Sequence, residues 1–242
     1  MPNTLRTVAK RLPIVFCLDV SPSMTWAISE YDQTTPIALL NESVKNFIKD
    51  LEEIPLVRSS TELAFVTFSD TVESTAVFSS VGSYVNKPPV FVAKERTAGS
   101  FLGDAVIYSI DMLNKRMQEL EKSPTYIPIM VIITDGVSRH DRPEAQAKAI
   151  ETLNSYCRGG KVIPIIIGVG DRIDAHILNQ YAKGAYDPSK TEVGYFPVKG
   201  KEAANKFKSA IKIITNVTHS SVNNNANPLN ILIDMQIDYI NG

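Results

Sequence analysis

PIVFCLDVSPSM, residues 13–24, joins a short apolar run to a polar loop. The run Pro13–Leu18 is apolar on both faces and rich in Val, Ile and Phe, which is typical of a strand buried on both sides of a parallel sheet. Asp19 ends the run, and Ser21 and Ser23 follow at every second position. In open α/β folds, ligands bind beyond the carboxyl ends of such strands. The stretch therefore predicts a central parallel strand with a polar site directly after it.

Similar apolar runs and helical patterns alternate along the rest of the chain. The runs are Leu63–Phe68, Ile127–Ile133 and Val162–Gly168. The helical patterns cover Pro36–Leu51, Leu102–Leu120, a segment opened by Asp141 and Pro143 that extends towards Tyr156, Asp174–Tyr181, and Glu202–Val217. Alternation of this kind predicts a parallel sheet with helices on both faces, joined by right-handed crossovers.

Two further segments complete the predicted sheet. Glu73–Val92 breaks the alternation with two β-rich pieces, STAVF and PPVFV, which fit an antiparallel edge strand and a connecting turn. Tyr195–Val198 is a short strand pattern. We therefore expect a doubly wound, mostly parallel six-stranded sheet of order 3-2-1-4-5-6, Rossmann-like, with one antiparallel edge strand.

The C-terminal part of the chain differs in composition from the rest. The Asn-rich stretch SSVNNNANP, residues 220–228, is typical of a connector. We therefore predict one domain over residues 10–218 and a tail over residues 219–242. Within the tail, Ile231–Ile240 alternates apolar and polar residues, which fits an added edge strand; a disordered tail fits the same composition.

Composition narrows the function classes. The 242 residues are 44% apolar, enough for one well-filled α/β core. Twenty-five Lys and Arg against 26 Asp and Glu give a net charge of -1, so we expect neither nucleic-acid nor membrane-surface binding. No apolar segment approaches the roughly 20 residues that span a bilayer, and the N-terminus lacks a secretory pattern. We expect a cytoplasmic protein, and the oligomeric state stays open.

A second polar loop follows another predicted strand. Ile127–Ile133 is followed by Thr134-Asp135-Gly136. In the predicted strand order, the first and fourth strands are neighbours, so Asp19 and Asp135 would face one crevice beside Ser100. Carboxylate and hydroxyl oxygens suit Mg²⁺, with Mn²⁺ or Ca²⁺ as alternatives. The sequence therefore predicts a cation site at this edge of the sheet.

Three segments together resemble a known metal site. Asp19-x-Ser21-x-Ser23, AGSFLGDA at residues 98–105 and IITDG at residues 132–136 resemble the metal-ion-dependent adhesion site (MIDAS) of von Willebrand factor A domains. The resemblance covers roughly residues 13–217. Within the family, the opening LPIVFCLDVSPSM at residues 12–24, the helix start LGDA at residues 102–105 and a final helix that runs into HSSV at residues 219–222 are similar to the bacterial TerY-like proteins, a group associated with tellurite resistance and stress response.

The resemblance implies a role for each site residue. Ser21 and Ser23 would contact the metal directly, and Asp19 and Asp135 would act mainly through bound water. Ser100 stands where the family usually has Thr. A Ser hydroxyl can also coordinate a cation, although it lacks the methyl group that restricts its rotamer. Thr97 is the alternative ligand at this position.

The function implied by the resemblance is protein binding, with the metal as a bridge to an Asp or Glu of a partner protein. We expect no enzymatic activity. One alternative is a Mg²⁺-dependent phosphohydrolase similar to haloacid dehalogenases, which would need a second Asp where Ser21 stands. Another alternative is a structural scaffold that binds no metal.

Overall fold

A computed structural model describes residues 10–97, 99–136, 142–183 and 194–241. The strands of these residues are β1 (Leu12–Asp19), β2 (Thr61–Phe68), β3 (Val72–Ser80), β4 (Ile129–Thr134), β5 (Ile163–Val169) and β6 (Tyr195–Val198). The helices are α1 (Pro36–Glu52), α2 (Pro55–Ser60), α3 (Gly82–Val85), α4 (Leu102–Glu119), α5 (Pro143–Arg158), α6 (Ala175–Ala182), α7 (Ala203–Asn223) and α8 (Pro228–Asn241). A 3₁₀ turn over Pro22–Thr25 follows β1.

The sheet has the predicted order and direction. Its strands run β3-β2-β1-β4-β5-β6, and β3 pairs antiparallel to β2 while the other pairs are parallel. Every residue of β1, β2, β4 and β5 is buried, whereas β3 is largely exposed. The continuous apolar runs therefore form the covered middle of the sheet, and the more polar β3 forms its edge.

Helices cover both faces of the sheet. Alternate residues of β1 point to opposite sides: Phe16 packs in the layer under α1 and α7, and Cys17 packs in the layer under α4, α5 and α6. Phe16 stacks on Phe65 and meets Phe47 edge to face, both with ring centroids 5.3 Å apart. Cys17 is a buried free thiol. The six-stranded α/β fold predicted from the sequence is confirmed.

Helix ends follow the local sequence signals. Thr35 caps α1 by accepting a hydrogen bond from the Ala38 amide, and Pro36 takes the first helical position. Asp174 caps α6 through the Ile177 amide. Pro143 opens α5, whereas Asp141, expected to open the same helix, lies outside the described residues.

The predicted edge strand at Ile231–Ile240 is wrong, because this segment lies within α8. The predicted boundary at residue 218 also falls inside α7, which continues to Asn223. Contacts of two side chains, Gln236 and Tyr239, explain why this segment is helical. The Gln236 side-chain amide donates to the Tyr195 carbonyl at 3.1 Å, and the Tyr239 hydroxyl donates to the Pro197 carbonyl at 3.0 Å. Side chains of α8, and not the backbone of an added strand, thus bond to the carbonyl groups of β6.

The PPVFV piece, residues 88–92, is extended but belongs to no strand. The Asn41 side chain of α1 accepts a hydrogen bond from the Phe91 amide at 2.7 Å and donates to the Phe91 carbonyl at 2.8 Å. A side-chain amide therefore takes the place of a neighbouring strand. None of the described helices is long and apolar enough to cross a membrane.

Candidate metal centre

The carboxyl edge of the sheet brings two polar loops together. β1 and β4 are parallel neighbours, with Leu18 in register with Ile133. Asp19, one residue beyond Leu18, and Asp135, two residues beyond Ile133, therefore leave the sheet at the same edge. The 3₁₀ turn after β1 holds Ser21 and Ser23 close to the strand end, with the Met24 amide bonded to the Ser21 carbonyl at 3.1 Å.

Asp19 is at the centre of a hydrogen-bonded cluster. Its side chain is fully buried. One oxygen, Oδ1, accepts from the Ser21 amide at 2.8 Å. The other, Oδ2, accepts from the Thr134 hydroxyl at 2.7 Å and from the Ser100 hydroxyl at 3.4 Å. These hydrogen bonds tie the segments of Ser100 and Thr134, which are 81 and 115 residues from Asp19 in sequence, to the end of β1.

Ser21, Ser23 and Ser100 present hydroxyl groups in this cluster. All three are buried, and the Oγ atoms of Ser21 and Ser23 lie 3.0 Å apart. Ser100 lies just before α4. The amide of the next residue, Phe101, donates to the Ser69 carbonyl at 2.7 Å and so ties this segment to the loop after β2. Gly103 lets this helix approach α5, since a Cβ there would lie 2.9 Å from the Ala145 carbonyl oxygen. A larger residue at position 103 would move the segment that carries Ser100.

The electrostatics of the cluster favour a bound cation. Burial and the nearby charge of Asp135 raise the pKa of Asp19 from 3.8 to about 6, although hydrogen bonds from Ser21 and Thr134 oppose the rise. Asp135 is itself buried. No ion pair to Asp19 occurs among the described residues. A positive charge placed between the two carboxylates would relieve both the desolvation and the repulsion.

The donor set fits a hard divalent cation. Hydroxyl and carboxylate oxygens are the ligands that Mg²⁺ and Ca²⁺ take in proteins. In the described part of the chain, no three His, Cys, Asp or Glu side chains cluster to hold a metal. The hydroxyls of Ser21, Ser23 and Ser100 would therefore supply most of the protein ligands, with Asp19 and Asp135 supplying the charge.

The structure brings all five predicted site residues to one place. Ser100, rather than the alternative Thr97, carries the described hydrogen bond to Asp19. Thr134 belongs to the same cluster but was not singled out as a site residue, although its position directly before Asp135 in the Thr-Asp-Gly turn is the signal that could have identified it. Trp26, beside the loop, is 42% exposed.

Comparison with solved structures finds this fold in several proteins of low sequence identity. The PilB minor pilin from Streptococcus sanguinis matches with a TM-score of 0.59 and 14% identity, over 91% of this chain and 64% of the pilin. The pilus adhesin SpaC from Lactobacillus rhamnosus GG matches with a TM-score of 0.61 and 12% identity, over 88% of this chain and 31% of the adhesin. The manganese-loaded TRAP protein of Plasmodium vivax matches with a TM-score of 0.52 and 18% identity, over 84% of this chain and 74% of TRAP. At these identities the similarity shows the fold alone.

The sequence itself matches none of the curated proteins with which it was compared. This chain spans less than two thirds of the pilin and less than one third of the adhesin. A model of the von Willebrand factor type A domain matches residues 14–198, which include β1 except its first two residues, β2 to β6 and all three segments of the polar cluster. Domains of this type often depend on a metal and mediate protein interactions. The chain therefore belongs to the von Willebrand factor type A domain family.

Proposed function

We propose that this protein is a divalent-cation-dependent protein-binding module with a MIDAS-type centre. The hydroxyls of Ser21, Ser23 and Ser100 would hold the cation, and Asp19 and Asp135 would hold its water ligands and balance its charge. The observation that carries the proposal is the burial of three hydroxyls and two carboxylates, from three separate segments, at one edge of the sheet.

The composition of the ligand set explains why a partner would bind there. Neutral hydroxyls withdraw little of the cation's positive charge, so a cation held mainly by Ser21, Ser23 and Ser100 keeps a strong attraction for a further anionic oxygen. An Asp or Glu side chain of a second protein can supply that oxygen. The bound metal would then bridge the two proteins.

We propose Mg²⁺ as the physiological cation, because it prefers an all-oxygen octahedron and readily retains water ligands. Mn²⁺ and Ca²⁺ are the competing candidates. Support for a metal in this fold comes from the manganese-loaded TRAP protein among the structural matches. Titration with each of the three cations would rank them.

The setting we propose is the cytoplasm, with a TerY-like role in stress response or tellurite resistance. It rests on the similarity of the opening LPIVFCLDVSPSM, the LGDA helix start and the Ser-rich segment HSSV at the end of α7 to that group. The site is proposed to bind rather than to catalyse, because the residue two positions after Asp19 is Ser21, which cannot act as a general acid near neutral pH. Mg²⁺-dependent turnover of a generic phosphatase substrate that is lost in Asp19→Asn would contradict this.

Calorimetric titration with Mg²⁺ tests the metal site. The wild-type protein should bind one cation, and Ser21→Ala should remove the signal by deleting a hydroxyl ligand. Ser221→Ala is the matched control: Ser221 is equally buried but lies on α7, where its hydroxyl bonds to the Val217 carbonyl at 2.6 Å. Absence of binding to the wild type at millimolar Mg²⁺ would overturn the proposal.

An affinity pull-down, with and without EDTA, tests the bridging role and identifies the partner. Proteins retained in Mg²⁺ should be released by EDTA and should fail to bind an Asp19→Ala variant. Retention that is insensitive to both changes would show a surface that acts without the metal.

A further inference from the structure

Two aromatic side chains of the loop region that follows Ser23 are each covered by a cation. The Arg172 guanidinium lies over the Trp26 ring at 4.3 Å from its centroid, and the Lys201 ammonium lies over the Tyr31 ring at 5.1 Å. Trp26 and Tyr31 are 42% and 60% exposed. We name these four residues the cation–aromatic rim.

The rim belongs to the same edge of the sheet as the metal centre. Arg172 follows β5 and Lys201 follows β6, so both lie beyond the carboxyl ends of their strands. Trp26 and Arg172 share a shallow hollow with Ser23 and Asp135. The Trp26–Arg172 part of the rim therefore borders the position at which a partner would meet the metal, and Tyr31 and Lys201 extend the rim along the same edge of the sheet.

The charged groups of this region differ in how they are engaged. The acids already accept hydrogen bonds from the chain: Asp171 from the Gly200 amide at 3.0 Å, and Asp32 from the Thr34 amide at 2.9 Å. Glu30 acts on the Tyr31 hydroxyl, since its carboxylate raises the pKa of that group. Neither rim cation, by contrast, forms an ion pair with any acid of the described residues. A carboxylate of a partner protein can thus form an ion pair with Arg172 or Lys201 without displacing any acid of the described residues.

The shape of the hollow limits how a partner can reach both groups. Its volume is about 20 Å³, which is small. We expect a partner to pass over Ser23 and Trp26 rather than to insert a side chain deeply between them. An arginine held over an aromatic ring can still bind a carboxylate through two parallel hydrogen bonds.

Building on the proposed metal bridge, we propose that the partner presents an acidic segment with at least two carboxylates. One carboxylate binds the metal, and a second binds the cation–aromatic rim at Arg172 or Lys201. The rim then distinguishes an acidic segment from a single isolated Asp or Glu.

The fluorescence of Trp26, the one tryptophan of the sequence, reports directly on the rim. The full chain, saturated with Mg²⁺, is titrated with acetyl-Glu-Glu-Glu-amide and with acetyl-Gly-Glu-Gly-amide. One additional exposed ion pair, at Arg172 or Lys201, predicts up to about fivefold tighter binding of the triglutamate peptide. The double variant Arg172→Gln with Lys201→Gln should lose this preference and keep its affinity for Mg²⁺.

Lys161→Gln is the matched control. Lys161 also lies over an aromatic ring, that of Tyr156 at 5.3 Å, but precedes β5 and so lies at the opposite edge of the sheet. Its loss should leave the preference unchanged. Equal binding of the two peptides, or a preference that survives in the double variant, overturns the proposed rim function while the metal site stands. Absence of Mg²⁺ binding to the wild type overturns the metal bridge and the rim function together.

Discussion

Two buried carboxylates on neighbouring strands have opposite surroundings. Glu62 lies at the amino end of β2, with a side chain that is 8% exposed. Arg116 donates to both of its oxygens at 2.7 Å, and Arg11 approaches one of them at 3.9 Å. Asp19 lies at the carboxyl end of β1, where it accepts hydrogen bonds from hydroxyls and from an amide. Its charged neighbour there is another acid, Asp135.

The difference indicates that the amino edge of the sheet contributes to the stability of the fold, whereas the carboxyl edge has the features of a cation-binding site. A buried carboxylate is costly unless a positive charge or a full set of hydrogen bonds compensates it. At the amino edge the chain supplies that charge itself through Arg116. At the carboxyl edge the described residues supply hydroxyls instead, so an external cation would complete the site.

Arg116→Met should have the largest effect on stability, because it leaves Glu62 buried without its bidentate partner. We expect the free energy of unfolding to fall by about 3 kcal/mol in urea denaturation, whether or not Mg²⁺ is present. Arg58→Met is the control, since its pair with Glu52 is more exposed and should contribute less than about 1 kcal/mol. Equal losses in the two variants would show that Glu62 does not depend on Arg116.

Mg²⁺ should stabilise the wild type, because a ligand that binds only the folded state raises the free energy of unfolding. At a concentration one hundred times the Kd the gain is about 2.7 kcal/mol. Asp19→Asn should abolish this gain, because it removes one of the two charges that attract the cation. Urea denaturation of both proteins in Mg²⁺ and in EDTA measures the effect. A gain of equal size in the variant would place the bound cation elsewhere.

The stability of the metal-free protein should depend on pH through Asp19. Its pKa is raised from 3.8 to about 6 in the folded state, so the folded protein binds this proton more tightly than the unfolded chain does. The resulting stabilisation is complete below about pH 4 and is lost as the pH rises through about 6, on the order of 3 kcal/mol in all. Denaturation in EDTA from pH 4 to 7 should show this loss in the wild type but not in Asp19→Asn. Parallel curves for the two proteins would contradict it.

Ser100→Thr should have the smallest effect, preserving or modestly strengthening the binding of Mg²⁺. The added methyl group restricts the rotamer without removing the hydroxyl. Thr97→Val is the companion variant and should leave the affinity unchanged, since Ser100 carries the hydrogen bond to Asp19. Calorimetry on both variants decides between the two residues, and a clear loss of affinity in Ser100→Thr would remove Ser100 from the ligand set.

The sheet and its polar edge could be predicted because each rests on a local signal. Runs such as Pro13–Leu18 are too short and too apolar for a surface helix, and they lead directly into polar loops. The strand order then places Asp19 beside Asp135. Thr134 was missed because a threonine before a turn has many roles, and only the fold brings its hydroxyl within 2.7 Å of Asp19.

The C-terminal segment could not be predicted, because its pattern fits two structures. Ile231–Ile240 alternates as a strand would, yet Leu232, Gln236 and Tyr239 are also spaced as one face of a helix. The decisive factor is distant in sequence: β6 offers carbonyl groups at Tyr195 and Pro197 that the side chains of α8 can reach. Local periodicity cannot report such a contact.

Anomalous diffraction from crystals grown with Mn²⁺ tests the central claim most directly, since manganese scatters anomalously and prefers the same oxygen ligands. We predict a peak at the carboxyl edge of the sheet, bonded to the hydroxyls of Ser21, Ser23 and Ser100, with Asp19 and Asp135 around it. Crystals that contain millimolar Mn²⁺ but show no peak there, or a peak bonded only to carboxylates at another site, would contradict the account.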